Sequence, residues 1–367
     1  GSNAREAIAR ASELGLGVIV TDHHTVTNPP ESVVMVNPNN PRQPYVFKGL
    51  SGVGVAWKIA RELFDSFGYA QKAWDYLDLV ALGTIADVSP LIDENRALVR
   101  LGLQQLSRQP RPGIKELIKL QLAHRLTGQD RTNYQETKEE AELNLSAYAV
   151  GMYLTPCLNA AGRIGDVQDA VDLLLCPDPK KASQIVSSLV ALNQKRKLLT
   201  EQGVEAAIAL LPQEEGIPGI ICLPLPDLDE SICGLVAGRI KDTFYRPTLV
   251  FTRTKDQGWK GSGRSVSGFD LTSLLRSIAY LAKGGGHSQA CGFHFEDAAA
   301  FLQAVKTFGE GNLDCRQLTR VIPVDLPLEP GEVTPALVRE IERLEPFGAG
   351  WEEPVIGLRG ISVSGGP

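Results

Sequence analysis

Two of the chain's five histidines are adjacent, in Asp22-His23-His24. The triplet closes the apolar run Val18-Ile19-Val20-Thr21, so a carboxylate and two imidazoles stand at the carboxyl end of an expected strand. In open α/β sheets that end faces the ligand crevice. Such a set can bind a divalent cation, orient a ligand or contact phosphate. It can equally be a polar strand exit with one capping Asp and two surface histidines. A second carboxylate, Asp87, ends the apolar stretch Gly83-Thr84-Ile85-Ala86 and is boxed in by Val88 and Pro90. Alone, Asp87 reads as a helix-terminal turn residue. Beside the histidines it reads as a metal ligand, because imidazole plus carboxylate is a usual set for Mn²⁺ or Mg²⁺ at phosphoryl-transfer centres.

Three further segments combine small residues with polar ones. In Lys260-Gly261-Ser262-Gly263-Arg264-Ser265 the glycines let backbone N–H groups form a nest for an anion, and Arg264 offers a planar fork to phosphate. The plainer alternative is a glycine-rich hairpin end with an exposed Arg, followed by Asp270 as a helix cap. Gly284-Gly285-Gly286-His287 suggests close backbone approach to a ligand, with His287 hydrogen-bonding it; a flexible loop entering a strand fits as well. Leu158-Asn159-Ala160-Ala161-Gly162-Arg163 would give a tight turn presenting an amide and a guanidinium, or a helix capped at Gly162. Gly49-Leu50-Ser51-Gly52-Val53-Gly54 has the wrong spacing for a dinucleotide loop and reads as the opening of a helix. Walker A, HExxH and GxSxG patterns are absent.

The elements that must position these residues follow from apolar periodicity. A helix is expected over 5–14, strands over 18–21 and 33–36, then helices over 50–67, 70–84, 95–106 and 114–122. Short strands alternating with helices imply an α/β layer with a parallel sheet. The polar stretch 126–142 reads as a surface insertion. One long helical pattern, 182–211, suits an interdomain connector. A smaller α/β unit follows over about 216–310, with strands at 219–223, 248–252 and 259–261. From about 320 the pattern changes again, with a helix over 332–344 before Pro346-Phe347-Gly348.

At 367 residues, 43% hydrophobic and 22% charged, the chain suits a globular protein of two or three domains. No apolar run is long enough to span a bilayer and no secretory pattern is present, so a cytoplasmic location is expected. Six scattered cysteines without CxxC or zinc spacing read as reduced, apolar thiols. A net charge of −6 argues against a broadly basic surface, so any nucleic-acid contact must rest on local cations. Gly1-Ser2-Asn3-Ala4 reads as a cloning remnant, and Arg5 already lies inside a helix pattern, as expected of an excised fragment.

The order of these motifs resembles one family. Val18 to His24 looks like the signature of the DHH phosphoesterases. Ala81 to Val88, with Pro90-Leu91 and Glu94-Asn95-Arg96, is similar to the fourth motif of the RecJ-type exonucleases. Leu158 to Arg163 resembles their NAAGR segment, and Gly261 to Ser265 with Gly285-Gly286-His287 their second, DHHA1-type domain. Leu344 to Gly350, with Pro354, is similar to the start of their OB-fold domain. The resemblance covers essentially the whole chain after residue 4.

It implies a partial DHH domain over 5–181, a connector helix over 182–212, a DHHA1 domain over 213–312 and the beginning of an OB-fold domain over 313–367. It implies that His23 and Asp87 ligate Mn²⁺ or Mg²⁺ in a two-metal centre, that Asp22 supports them and that His24 faces the scissile phosphate. Ser262, Arg264, Ser265, Gly285, Gly286 and His287 would hold substrate phosphates, with Asn159 and Arg163 lining the same cleft. The implied reaction is 5′–3′ hydrolysis of single-stranded DNA by metal-activated water, in DNA repair and recombination. Earlier Asp-rich motifs of the family lie outside this sequence, which implies an incomplete metal shell, weak Mn²⁺ binding and little or no hydrolysis by these residues alone. Cys157 stands where the family has Arg, Leu228-Asp229 where it has Trp-His, and Trp351 where it has Asn. Three other readings compete: a phosphodiesterase for short oligoribonucleotides or cyclic dinucleotides, a non-catalytic single-strand-binding scaffold and, ranked last, an inorganic pyrophosphatase of the same superfamily. No helicase or single-strand-binding protein partner is readable from residue types.

Overall fold

The computed structural model describes residues 1–26, 29–30, 33–43, 45–127, 145–212, 216–314 and 318–362, with the backbone alone over 122–127. Most of the expected 126–142 insertion, Cys315 and the last five residues therefore lie outside the described residues. The chain divides into two compact units. One comprises 1–159, 168–189 and 323–367; the other comprises 160–167 and 190–322.

In the first unit, α1 (Arg5–Glu13) precedes β1 (Ile19–Thr21), which pairs in parallel with β2 (Val34–Val36). Both strands bury their middle residue, Val20 and Met35, which pack with Ile8 and Val26. The helix α2 (Gly52–Ser66) begins where Ser51 accepts the Gly54 N–H at 3.1 Å. The single helix expected over 70–84 is instead a 3₁₀ stretch (Ala70–Tyr76) running into α3 (Leu77–Ala86). The tighter winding presents the Ala73 carbonyl to Trp57 Nε1 at 2.8 Å. Next comes α4 (Asp93–Arg108), whose Gly102 admits the α3 backbone: a Cβ there would lie 2.2 Å from the Leu77 carbonyl oxygen. The buried Asp78 of α3 is held by a two-point contact with Arg111, at 2.5 and 2.9 Å.

Beyond α5 (Pro112–Thr127), a short α6 (Ala147–Ala149) widens into a π turn (Val150–Leu154) and continues as α7 (Thr155–Ile164). The tight turn expected at 158–163 is thus a helix, and Gly162 lies inside it. Ala160 and Ala161 are fully buried, so their small size serves close packing rather than a turn. Then come α8 (Val167–Leu175) and the 31-residue α9 (Pro179–Ala209).

The second unit is built on one five-stranded sheet. Its elements are β3 (Ile221–Pro224), α10 (Cys233–Phe244), β4 (Thr248–Arg253), β5 (Trp259–Arg264), α11 (Leu271–Ser277), β6 (Ala282–His287), β7 (Ala290–Phe295) and α12 (Ala298–Asn312). The strand order is β3-β4-β5-β7-β6, with only β3 and β4 parallel. One face packs an aromatic core of Phe251, Trp259, Phe293, Phe295 and Phe301 against α11 and α12. Val236, Ala237 and Ile240 of α10 pack on Ile221, Leu223 and Val250 of the opposite face. The triple glycine at 284–286, readable as a loop, is inside β6.

At the end of the chain, β8 (Leu326–Leu328) pairs in parallel with β9 (Ile356–Leu358), and α13 (Pro335–Glu342) lies between them in sequence. No helix among the described residues is long and apolar enough to cross a membrane. The five described cysteines are free thiols, four of them buried.

A candidate metal centre and a cation-bearing sheet face

The DHH triplet leaves the carboxyl end of β1, where Asp22 N–H donates to the Val36 carbonyl and extends the ladder by one residue. Asp22 then turns its carboxylate back on its own loop. Its Oδ1 accepts from the His23 N–H (2.8 Å), the His24 N–H (3.2 Å) and His24 Nδ1 (2.7 Å), while Oδ2 accepts the Ser2 N–H at 2.6 Å. Burial opposes ionisation here, but these hydrogen bonds outweigh it and hold the carboxyl well below the usual carboxylate range. Asp22 is an orienting anion. Two amides behind it complete the brace: Asn39 Nδ2 donates to the His23 carbonyl at 2.8 Å and Asn37 Nδ2 to the His24 carbonyl at 3.0 Å.

His23 is drawn inward and its side chain is 22% exposed, whereas that of His24 is 62% exposed. Gly52 makes room for the inner ring, since a Cβ at that position would lie 3.3 Å from His23 Cδ2. Facing it, Asp87 caps the C-terminus of α3, with Oδ2 3.7 Å from His23 Nδ1. Donors about 2 Å from one shared cation lie roughly 3–4 Å apart, so this pair fits one ion. Asp22, His23 and His24 also bring ligand atoms within 4.8 Å of one another. Ser89 donates to Asp87 Oδ2 at 2.5 Å. The chain leaves Asp87 through Val88 at φ 56, a left-handed conformation strained for a β-branched residue. Sequence reasoning missed Ser89, Gly52, Asn37 and Asn39. The Asn-Pro-Asn-Asn run after β2 was the one available signal, and it reads as a turn.

In the second unit, β5 is hydrogen-bonded on both sides, so its amides are committed to the ladder and cannot form an anion nest. Its glycines face the core: a Cβ on Gly261 would lie 2.6 Å from Phe251 Cβ, and one on Gly263 2.7 Å from Cys291 Sγ. Ser262 and Arg264 alternate onto the other face. Arg264 lies opposite Ala290, which lies opposite His287, so Arg264 and His287 share a row and a face two strands apart, about 10 Å. Gly285 shares the neighbouring row with Ser262.

The first turn of α10 closes over Arg264, where a Cβ on Gly234 would come within 2.8 Å of its guanidinium. Burial, reinforced by the nearby Arg163 guanidinium and opposed by Cys291, holds the Arg264 pKa below its usual value. Among the described residues neither arginine is paired with a carboxylate. Arg163 donates instead to the Ser231 carbonyl at 3.2 Å. Asn159 is exposed on α7, four residues earlier.

Two expected contacts do not join this face. Ser265 is buried and donates to the Phe269 carbonyl at 2.8 Å, because the chain turns off β5 there. Gly286 points to the core side at φ 147, where a Cβ would lie 2.3 Å from the Ala290 carbonyl oxygen. Asp270 caps α11 by accepting the Thr272 N–H at 2.8 Å, as the plainer reading of that segment had it.

An imidazole–carboxylate pair at the end of a parallel strand, with a second unit whose sheet carries arginine and histidine on one face, is the layout expected of a two-domain phosphoesterase. Family models match along the chain in the same order: the DHH family N-terminal domain over 1–84, the DHHA1 domain over 218–310 and the RecJ OB domain over 324–366. The single-stranded-DNA-specific exonuclease RecJ of Bacillus subtilis (strain 168) is 36% identical over 343 residues, covering 92% of this chain and 41% of that protein. The crystal structure of RecJ in complex with Mn²⁺ from Thermus thermophilus superposes with a TM-score of 0.81 at 32% identity, over 98% of this chain and 50% of that one. A structure of exonuclease RecJ bound to manganese matches with a TM-score of 0.65 at 31% identity, over 84% of this chain and 73% of the other. The chain belongs to the RecJ family of DHH phosphoesterases. It spans about half the length of the curated relatives it matches.

Proposed function

We propose that this chain belongs to a metal-dependent exonuclease that hydrolyses phosphodiester bonds of single-stranded DNA in the 5′–3′ direction, working in the cytoplasm in DNA repair and recombination. The observation that carries the reading is the approach of His23 Nδ1 to Asp87 Oδ2, at 3.7 Å, beside a carboxylate already spent on orienting the loop. His23 and Asp87 ligate Mn²⁺ or Mg²⁺, and Asp22 holds the two imidazoles in place. The exposed His24 ring contacts the phosphoryl oxygens. When bound, the cation supplies a Lewis acid and a water of lowered pKa. Ser262, Arg264 and His287 grip backbone phosphates above the open strand position of Gly285, with Asn159 and Arg163 adding an amide and a second guanidinium. Contacts of this kind read charge rather than sequence, as suits a nuclease that digests any unpaired strand. Residues 5–181, 182–212, 213–312 and 313–367 are assigned to the DHH domain, connector, DHHA1 domain and OB-fold segment.

Mn²⁺ titration, together with hydrolysis of labelled single-stranded DNA, duplex DNA and a cyclic dinucleotide, tests the reading. This chain should bind Mn²⁺ weakly and hydrolyse little, because His23 and Asp87 are too few ligands for a two-metal centre. A chain extended to the relatives' length should degrade the single strand. His23→Ala or Asp87→Ala should weaken Mn²⁺ binding by at least about tenfold. Unchanged Mn²⁺ affinity in both variants, or faster cleavage of the cyclic dinucleotide, would overturn the proposal.

A further inference from the structure

The register of β5, β7 and β6 places nine residues on the α10-bearing face of the second unit's sheet, as three parallel rows. The first row is Lys260, His294 and Lys283; the second is Ser262, Gly292 and Gly285; the third is Arg264, Ala290 and His287. Successive rows lie about 7 Å apart along the strands, and residues within a row about 5 Å apart. Cationic or imidazole side chains thus fill one outer row and flank Ala290 in the other, while the middle row carries one hydroxyl and two glycines. Lys283, His294 and His287 are exposed, on the strands that α10 leaves uncovered.

The middle glycines have no packing reason to be glycines. A Cβ at Gly285 meets nothing within 4 Å, and one at Gly292 meets only the Gly261 carbonyl oxygen, at 4.0 Å. Glycine inside a strand weakens it, and where the fold does not require it, close approach of another backbone is the remaining physical reason. The contrast with Gly261 and Gly263 is direct, because those two face the core and leave no room for a side chain, and a Cβ on Gly286 would strike the β7 backbone.

We propose that Lys260, Lys283 and His294 form a second phosphate-binding row, and that a single nucleic-acid strand lies in the trough floored by Gly285 and Gly292. Arg264 and His287 hold one phosphate along one bank, and Lys283, His294 and Lys260 hold a neighbouring phosphate along the other. Among the described residues, the single carboxylate engaged in this set, Glu230, pairs with Lys260 at 3.1 Å in an exposed contact that a phosphate can displace at little cost. The inference rests on the single-strand reading of the same face and extends it to residues that reading does not use.

Fluorescence anisotropy of labelled oligothymidylate, titrated with this chain in EDTA at several salt concentrations, provides the test. Lys283→Glu should weaken binding by about tenfold and flatten the salt dependence by about 0.7 or more in log–log slope. Gly292→Val should abolish most binding while leaving the melting temperature unchanged or raised, since a β-branched residue suits an open strand position. A merely structural role for Gly292 predicts the reverse pattern, a lowered melting temperature with intact affinity. If Arg264→Ala weakens binding but Lys283→Glu and Gly292→Val do not, the second row is wrong and the single-strand reading stands. If the unmodified chain does not bind the oligonucleotide, both fall.

Discussion

Val88 links two residues that serve the candidate centre, Asp87 and Ser89, and it sits at φ 56 while 71% exposed. Its side chain packs on little, so the strain stands with no burial to offset it. Val88→Asn, which tolerates the left-handed region, should raise stability by about 1 kcal/mol in urea unfolding. Unchanged or lowered stability would mean that the turn relaxes. Asp270 makes a second residue-scale prediction. Hydrogen bonds from the Thr272 and Ser273 side chains lower its pKa from 3.8 to about 2. A carboxylate depressed on folding contributes stability that is complete above the unfolded pKa and is lost as pH falls through the folded one. Asp270→Asn should therefore cost stability near neutrality and flatten the acid limb of the melting-temperature profile between about pH 4 and pH 2. At this scale the sequence singled out two side chains that the fold brings together, His23 and Asp87, because His and Asp are rare in apolar surroundings and conspicuous there. It misjudged Ser265 and the β5 glycines, since which face of a strand a residue takes depends on strand register.

Among elements, the segment after α13 is tied to the turn that carries Asp87. Leu91 N–H donates to the Ala349 carbonyl at 2.7 Å, and Gly348 packs so tightly on Leu91 that a Cβ would lie 2.6 Å from its side chain. The Arg96 guanidinium donates to the carbonyls of Leu344, Glu345 and Pro346 and stacks 4.5 Å from the Trp351 ring, whose Nε1 donates back to Leu344 at 3.0 Å. Trp351→Ala should cost about 1–2 kcal/mol, from the lost cation–π contact and hydrogen bond. It should also speed amide exchange at Leu91 relative to the α3 core; equal protection in both proteins would show that the tie is passive. Sequence periodicity located α2, α4 and the long α9 within a few residues because each is amphipathic over several turns. It missed β6, whose Lys-Gly-Gly-Gly-His core has neither alternation nor β propensity and is a strand only because β7 supplies its hydrogen bonds.

For the molecule as a whole, thiol chemistry reports on the cores. Burial pushes Cys233 up to about 12 and Cys291 up to about 11, both in the second unit. Neither should react with a thiol reagent at pH 8 in the folded state, and both should become reactive together when that unit unfolds. Fast labelling of either in the native protein would place its core outside the cooperative unit. The chain alone determined the α/β class, the order of the segments and the identity of the metal-ligand candidates, because these depend on local periodicity and on residue chemistry. Only the folded molecule decided that His23 and Asp87, 64 positions apart in the sequence, come within 3.7 Å. It also decided that Arg264 and His287 share one face while Ser265 and Gly286 turn away from it. Contacts of long sequence separation are set by packing and strand register, and neither is written in any short window of residues.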